Sequence, residues 1–291
     1  ANAVPRAAAE ANAGGSSTCP ASARCKPGAR PGSSLPVVGV CPCRTSRTTV
    51  GAAGEGVFVR AMAMRKPTVP AVDSLAQLET DVCDCRQCPR LVAWREQVAV
   101  DKRASYRDEA YWGRGVPGFG DPAAKVMVLG LAPAAHGANR TGRVFTGDRS
   151  GDWLYRAMHR AGFANQPTSV SRDDGLRLTG AWVAAAVKCA PPDNKPLPAE
   201  RDMCRPFLRR ELALLAQVSV VVCLGGFAYE AACGEFGVRP RPKFGHGVEV
   251  AAPGGLLLLC SYHPSQQNTF TGRLTEPMLD AVFARAAALT R

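Results

Sequence analysis

Lys125-Val126-Met127-Val128-Leu129-Gly130-Leu131 carries a single charged side chain, at its start, and runs straight into a loop of alanine, proline and glycine. A strand with one wet face alternates polar and apolar residues, whereas a strand buried on both faces reads as a nearly continuous apolar run. This stretch is of the second kind, and residues 181–187, 218–224 and 255–261 repeat it. Apolar residues recur at helical spacing over 152–161, 200–215, 228–236 and 276–289. An earlier helix begins behind Ser74, a side-chain cap ahead of Leu75 and Leu78. Strand and helix alternate four times. That order predicts an α/β protein, a three-layer α/β/α sandwich around a mainly parallel four-stranded sheet, with no internal repeat.

The 291 residues, 46% of them apolar, suffice for a sizeable core. No apolar run reaches membrane-spanning length, and the opening Ala1-Asn2-Ala3-Val4-Pro5-Arg6 lacks the apolar centre of a signal peptide. The net charge of +12 points to a polyanionic partner. It is unevenly spread. Residues 1–66 hold nine basic and two acidic side chains in an Ala-, Gly-, Ser- and Pro-rich stretch without apolar periodicity, and read as a disordered basic extension. The domain proper is expected over 74–291, with a modest excess of +5 from residue 67 onward.

In a parallel sheet, ligands collect at the carboxyl ends of the strands. The chain puts its most polar loops there: Gly130 to Asp148 after the first strand, Lys188 to Pro196 after the second, Gly225-Gly226 after the third and Tyr262 to Asn268 after the fourth. Cysteines form a second pattern. Cys85-Arg86-Gln87-Cys88 is a CxxC, a spacing shared by redox, zinc and iron–sulfur sites, and Cys189 and Cys204 follow with fourteen residues between them. A redox dithiol has no use for the second pair, and a zinc ribbon needs a tighter one. A four-thiolate iron–sulfur cluster tolerates the spacing. Cys83 is a rival ligand, Cys223 and Cys260 read as strand packing, and without a secretion signal disulfides are not expected.

Taken jointly, these motifs resemble family 5, the B-type, of the uracil-DNA glycosylases. Cys85-x-x-Cys88-Pro89-x-Leu91 and Val187-Lys188-Cys189-Ala190-Pro191-Pro192 with Cys204 resemble the two halves of its cluster site. Gly130-Leu131-Ala132-Pro133-Ala134-Ala135-His136-Gly137-Ala138-Asn139 resembles its first active-site motif, and His263-Pro264-Ser265 its second. The resemblance spans about residues 83–291 and leaves the extension without a counterpart. It implies a uracil-DNA glycosylase fold, a [4Fe-4S] cluster on Cys85, Cys88, Cys189 and Cys204, and hydrolysis of the N-glycosidic bond of uracil in double-stranded DNA. The implied protein is a monomer, prokaryotic and cytoplasmic, associated with the nucleoid and with no membrane partner.

The resemblance also implies roles. A glycosylase must stabilise a positive sugar and a negative base, on a nucleotide turned out of the duplex. His263 is the candidate donor to the departing base oxygen. Phe145 is the candidate stacking platform, with a plain core Phe as the alternative. Ala134 and Ala135 stand where other branches carry the acidic or amide group that holds water, so Asp148 and Asn194 are the water-holding candidates. Asp148 equally suits a cap on the following helix. Gly130, Ala132 and Pro133 are expected around the base, and His136 and Asn139 either line the pocket or order the loop. Ala185 occupies the position where related families place a base-reading Asn, which predicts a roomier pocket that also accepts hypoxanthine and ethenocytosine. Arg140, Arg143, Lys195 and Arg273 are candidate phosphate contacts, and no wedge residue stands out among Gln266, Gln267, Asn268 and Phe270. The two alanines keep a non-catalytic nucleic-acid-binding module open as the second reading. A zinc-bearing hydrolase lacks a GxSxG elbow.

A chain begun at residue 67 is expected to keep its thermal midpoint and its turnover, because the removed stretch has no core-forming pattern. Calorimetry and a rate measurement on the shortened and full chains check this, and a large fall in the midpoint would contradict it.

Overall fold

The computed structural model describes residues 73–291; the expected extension over 1–66 lies outside the described residues. The chain opens with α1 (Leu75–Asp84), capped as expected by the Ser74 side chain accepting from the Gln77 N–H, and with α2 (Pro89–Asp101). After β1 (Phe119–Gly120) come β2 (Val126–Gly130), the single turn α3 (Ala138–Thr141) and α4 (Arg149–Arg160). β3 (Ala181–Ala185), α5 (Pro198–Leu214), β4 (Val220–Leu224) and α6 (Gly226–Phe236) follow. β5 (Glu249–Ala252), β6 (Leu256–Ser261), α7 (Gln266–Phe270) and α8 (Glu276–Leu289) complete it.

The strands form one sheet in the order β1-β3-β2-β4-β6-β5. The four expected strands are its centre, and all run parallel, with Val126 opposite both Ala181 and Val220 and Cys223 opposite Cys260. Two antiparallel edges flank them, so the sheet has six strands rather than the expected four. β1 is two residues long and too short to show a period. β5 alternates exposed and buried residues, as an edge with one wet face does.

Side chains alternate across each buried strand, and the two sets feed two cores. Val128, Val183, Val222 and Leu259 pack on α4 and α8 with Leu154, Met158 and Phe283. Met127, Ala184, Val221 and Leu258 pack on the other side with Leu208 of α5 and Tyr229 of α6. Cys223, Cys233 and Cys260 lie in this second core, where burial pushes their thiols up, so they are inert packing groups. Among the described residues no helix is long and apolar enough to cross a membrane.

The segment between α4 and β3 has little regular structure of its own and is pinned by a charge. Arg143, 5% exposed, donates to both oxygens of Asp174, to the Ser169 and Thr146 hydroxyls and to the Arg172 carbonyl. Asp174 also accepts the Val170 and Leu176 N–H groups, and together with Arg143 these donors hold its carboxyl below the usual range despite burial. Arg143 is therefore a structural ion rather than the expected phosphate contact.

Removing one member of a buried pair strands the other charge. Arg143→Met should cost about 3–5 kcal/mol of unfolding free energy, and adding Asp174→Asn should recover part of it. Urea unfolding of both variants tests this, and a near-neutral single variant would refute the pinning role.

Candidate active site and cysteine cavity

The carboxyl ends of β2, β3 and β6 open onto one cleft of about 690 Å³. Residues 131–137, Val144, Phe145 and 147–150 supply one wall, His263, Ser265, Gln266 and Gln267 another, and Asn194 stands on the rim. Arg103 and Tyr106 close the remaining side from a short turn after α2. Neither was visible beforehand, because that turn carries no period and no motif.

Phe145 is held in an unusual state. Its backbone lies in the left-handed region, at φ +53, which a bulky residue enters only when its surroundings compel it. The ring is backed by Gly130, where an added Cβ would sit 2.7 Å from two ring carbons. The backbone is backed by Gly151, where a Cβ would meet the Phe145 carbonyl oxygen at 1.9 Å. Two glycines thus make the room that lets the ring face the cleft, 5.7 Å from the His263 ring and tilted 34° to it.

His263 follows β6 directly. Its carbonyl accepts the Asn268 amide at 2.9 Å, and Ser265 caps α7 behind it. His246 accepts the Tyr262 N–H at 3.2 Å and so orders the chain entering the site. Among the described residues neither ring nitrogen of His263 has a hydrogen-bond partner. Burial alone pushes its pKa down to about 4, leaving a neutral imidazole with a free N–H.

Asp148 is both a cap and a cleft residue. Its Oδ1 accepts the Gly151 N–H at 2.9 Å at the start of α4, and its Oδ2 lies against Gly137, where a Cβ would be 2.2 Å away. Burial raises its carboxyl above the ordinary 3.8, opposed by N–H groups of Gly151 and Ser150. His136 lines the cleft with Nδ1 3.1 Å from the Tyr111 hydroxyl, and burial beside Arg103 and Arg140 keeps it neutral. Asn194, like Asp193 before it, takes left-handed backbone, at φ +56, on a 3-10 turn after β3.

A second, enclosed cavity lies behind. Cys85, Cys88, Cys189 and Cys204 all line it, between apolar walls that include Leu91, Val187 and Phe207. They arrive from four places: the end of α1, the cap of α2, the loop after β3 and the middle of α5. Cys83, the rival ligand, is buried elsewhere and does not line it. Burial pushes the thiols of Cys88 and Cys189 up, and that of Cys204 up to about 12. Among the described residues no three His, Cys, Asp or Glu side chains converge tightly enough for one metal ion.

The family model of the Uracil DNA glycosylase superfamily matches residues 117–287. The type-5 uracil-DNA glycosylase of Mycobacterium tuberculosis is 54% identical over 219 residues, 74% of this chain and 82% of that protein. That of Thermus thermophilus is 54% identical over 206 residues, 70% of this chain and 93% of its own. The chain belongs to the uracil-DNA glycosylase superfamily, in its type-5 branch. It is accordingly an enzyme, a uracil-DNA glycosylase of DNA repair.

In this glycosylase the cleft gathers Ala132, Pro133, His136, Phe145, Asp148, Asn194 and His263. Gly130, Ala185 and Asn139 are not among its lining residues, which leaves Asn139 the second of its two expected uses, ordering the loop. Gly130 serves as the space behind Phe145. Ala185, its register partner on β3, is 1% exposed within the apolar core that includes Phe145. Asn139 is fully buried and donates to the Arg95 carbonyl at 3.1 Å, so it orders the loop. Arg140 is no phosphate contact either: it is buried, pairs with Glu109 and donates at 2.9 Å to the carbonyls of both His136 and Gly147. Lys195 and Arg273 are exposed, and Arg273 stacks on Tyr262.

The two uses of Asp148 separate by substitution. Asp148→Ala should lose about 0.5–2 kcal/mol with the cap, while Asp148→Asn, which still accepts from Gly151, should not. Both should slow base release. In the parent, the single-turnover rate should rise with pH through an Asp148 pKa above 3.8, and Asp148→Asn should abolish that rise. A step near the ordinary histidine value of 6.5 that persists in Asp148→Asn would show that His263 is not neutral.

Proposed function

We propose that the enzyme removes uracil, and also hypoxanthine and ethenocytosine, from double-stranded DNA by hydrolysing the N-glycosidic bond and leaving an abasic site. The observation that carries this is the convergence of Phe145, Asp148, Asn194 and His263 from three strand ends on one cleft. The nucleotide leaves the duplex to enter it. The Phe145 ring offers a face on which any base can stack. The free N–H of neutral His263 donates to the base oxygen as negative charge develops there, without full proton transfer. Asp148 spends one oxygen on the helix cap, and the other accepts a hydrogen bond from the attacking water. Water oxygen then bonds to C1′ as the bond from C1′ to the base nitrogen breaks; the base departs with the pair of electrons, and the proton that the water sheds passes to the Asp148 carboxylate. Asn194, on the rim, is the second group within reach of water or base.

The wide range rests on the walls. Ala132, Pro133, Ala134 and Ala135 bring no side-chain hydrogen bonds, so few polar groups are left unpaired by a base that is not uracil. Exposed Lys195 and Arg273, with Arg103 and Arg149 at the cleft, suit the phosphates on either side.

Cys85, Cys88, Cys189 and Cys204 are proposed to hold a [4Fe-4S] cluster. Four soft donors from separate segments around one apolar cavity suit a thiolate cluster. The Arg95 Nε, buried beside them without a partner, fits a missing anion. The cluster's contribution is structural, a link between α1, α2, β3 and α5.

The test is a panel of duplexes carrying one uracil, hypoxanthine or ethenocytosine, treated with alkali after single-turnover incubation. Cleavage of all three is expected. His263→Ala should lose about 2–4 kcal/mol of transition-state stabilisation, with binding little changed. Uracil-only cleavage would overturn the wide range, and no cleavage of any of these duplexes would overturn the reading of the cleft as the site of base removal.

A further inference from the structure

The charges buried in the described part are Arg95, Arg140, Arg143, Lys188, Glu200 and Glu211. Arg140 pairs with Glu109, Arg143 with Asp174, Lys188 with Glu211 and Glu200 with Arg90. Arg95 alone has no carboxylate partner, although only 1% of it is exposed. Its neighbour Glu96 is turned outward and pairs with Arg86. A guanidinium cannot shed its proton to escape burial, so an uncompensated one is strongly unfavourable.

The Arg95 side chain meets one cysteine sulfur and one cysteine carbonyl. Its Nη1 donates to Cys189 Sγ at 2.9 Å, its Nη2 to the Cys85 carbonyl at 2.9 Å, and its Nε has no partner. The other cation at this cavity, Lys188, is already neutralised by Glu211, and its backbone N–H donates to Cys204 Sγ at 3.2 Å. The backbone carbonyl of Arg95 receives the amide of buried Asn139, in the turn that follows His136, so α2 also touches that loop.

We propose that Arg95 is the counter-charge of the thiolate cluster. This rests on the cluster assigned above. A cluster on four thiolates is a net anion, which supplies the charge that Arg95 lacks, and the guanidinium in turn stabilises thiolates that burial disfavours. Arg95 is a positioning residue and touches no substrate.

The experiment uses protein purified without air. Iron per chain, the rate of iron release to a chelator and the midpoint for one-electron reduction are measured for the parent, Arg95→Gln, Arg95→Lys and the exposed control Arg86→Gln. Arg95→Gln should release iron roughly 10–100-fold faster, the usual cost of losing an outer partner of a metal ligand. Its midpoint should move to more negative potential, since a lost cation disfavours the added electron. Arg95→Lys, which keeps the charge, should restore most of both, and Arg86→Gln should match the parent. An Arg95→Gln protein with parental release rate and midpoint overturns the proposal while leaving the cluster in place. A parent that binds no iron overturns the cluster and the proposal together. If Arg95→Gln does not fold, Arg95→Lys decides: cluster retention near the parent supports the charge role, and loss of iron from a folded lysine variant refutes it.

Discussion

The four parallel strands are buried on both faces, and this constraint orders everything else in the molecule. Neither face can carry polar chemistry, because helices cover both. The strand ends remain. β2, β3 and β6 all run in one direction, so the loops that leave them meet on one edge of the sheet. The cleft is where they meet, and the cysteine cavity lies beside the same end of β3.

A loop at a strand end is useful for catalysis only if it is stiff. Here stiffness comes from buried cations more than from regular structure. Arg140 holds the carbonyls on either side of the turn, those of His136 and Gly147, so that the His136 and Asp148 backbones cannot move apart. Arg143 ties the next residues to the segment before β3. These two arginines, three residues apart, face inward to opposite partners, and a DNA phosphate could reach neither without breaking an ion pair.

How much of this was legible in the sequence follows from range. The central strands and the main helices show as periodicity, which is a local property, and α8 has the bounds expected for it. Ser74 and Asp148 show as caps because a cap is read within four residues. The cysteine set and His263 were legible through family motifs. The fates of Asn139 and Arg140 were not, because whether a polar side chain faces a cleft or a neighbouring helix depends on residues far along the chain. Asn139 answers to Arg95, forty-four residues earlier, and nothing local announces it. Gly130 stands in the expected neighbourhood, with a use that the sequence does not announce. Its lack of a side chain serves Phe145, whose left-handed backbone has no signature in sequence.

His263 and Asp148 show one cause acting with opposite sign. Burial disfavours charge on each. For the imidazole this means loss of a proton, and the pKa falls to about 4; for the carboxyl it means retention of one, and the pKa rises. The rise at Asp148 is opposed by the N–H groups at the start of α4, which favour the anion, whereas nothing opposes the fall at His263. The two groups line one cleft, and the N–H groups at the start of α4 pull Asp148 toward the anion while burial pulls it toward the acid, so the helix cap bears directly on the charge that Asp148 presents to the cleft.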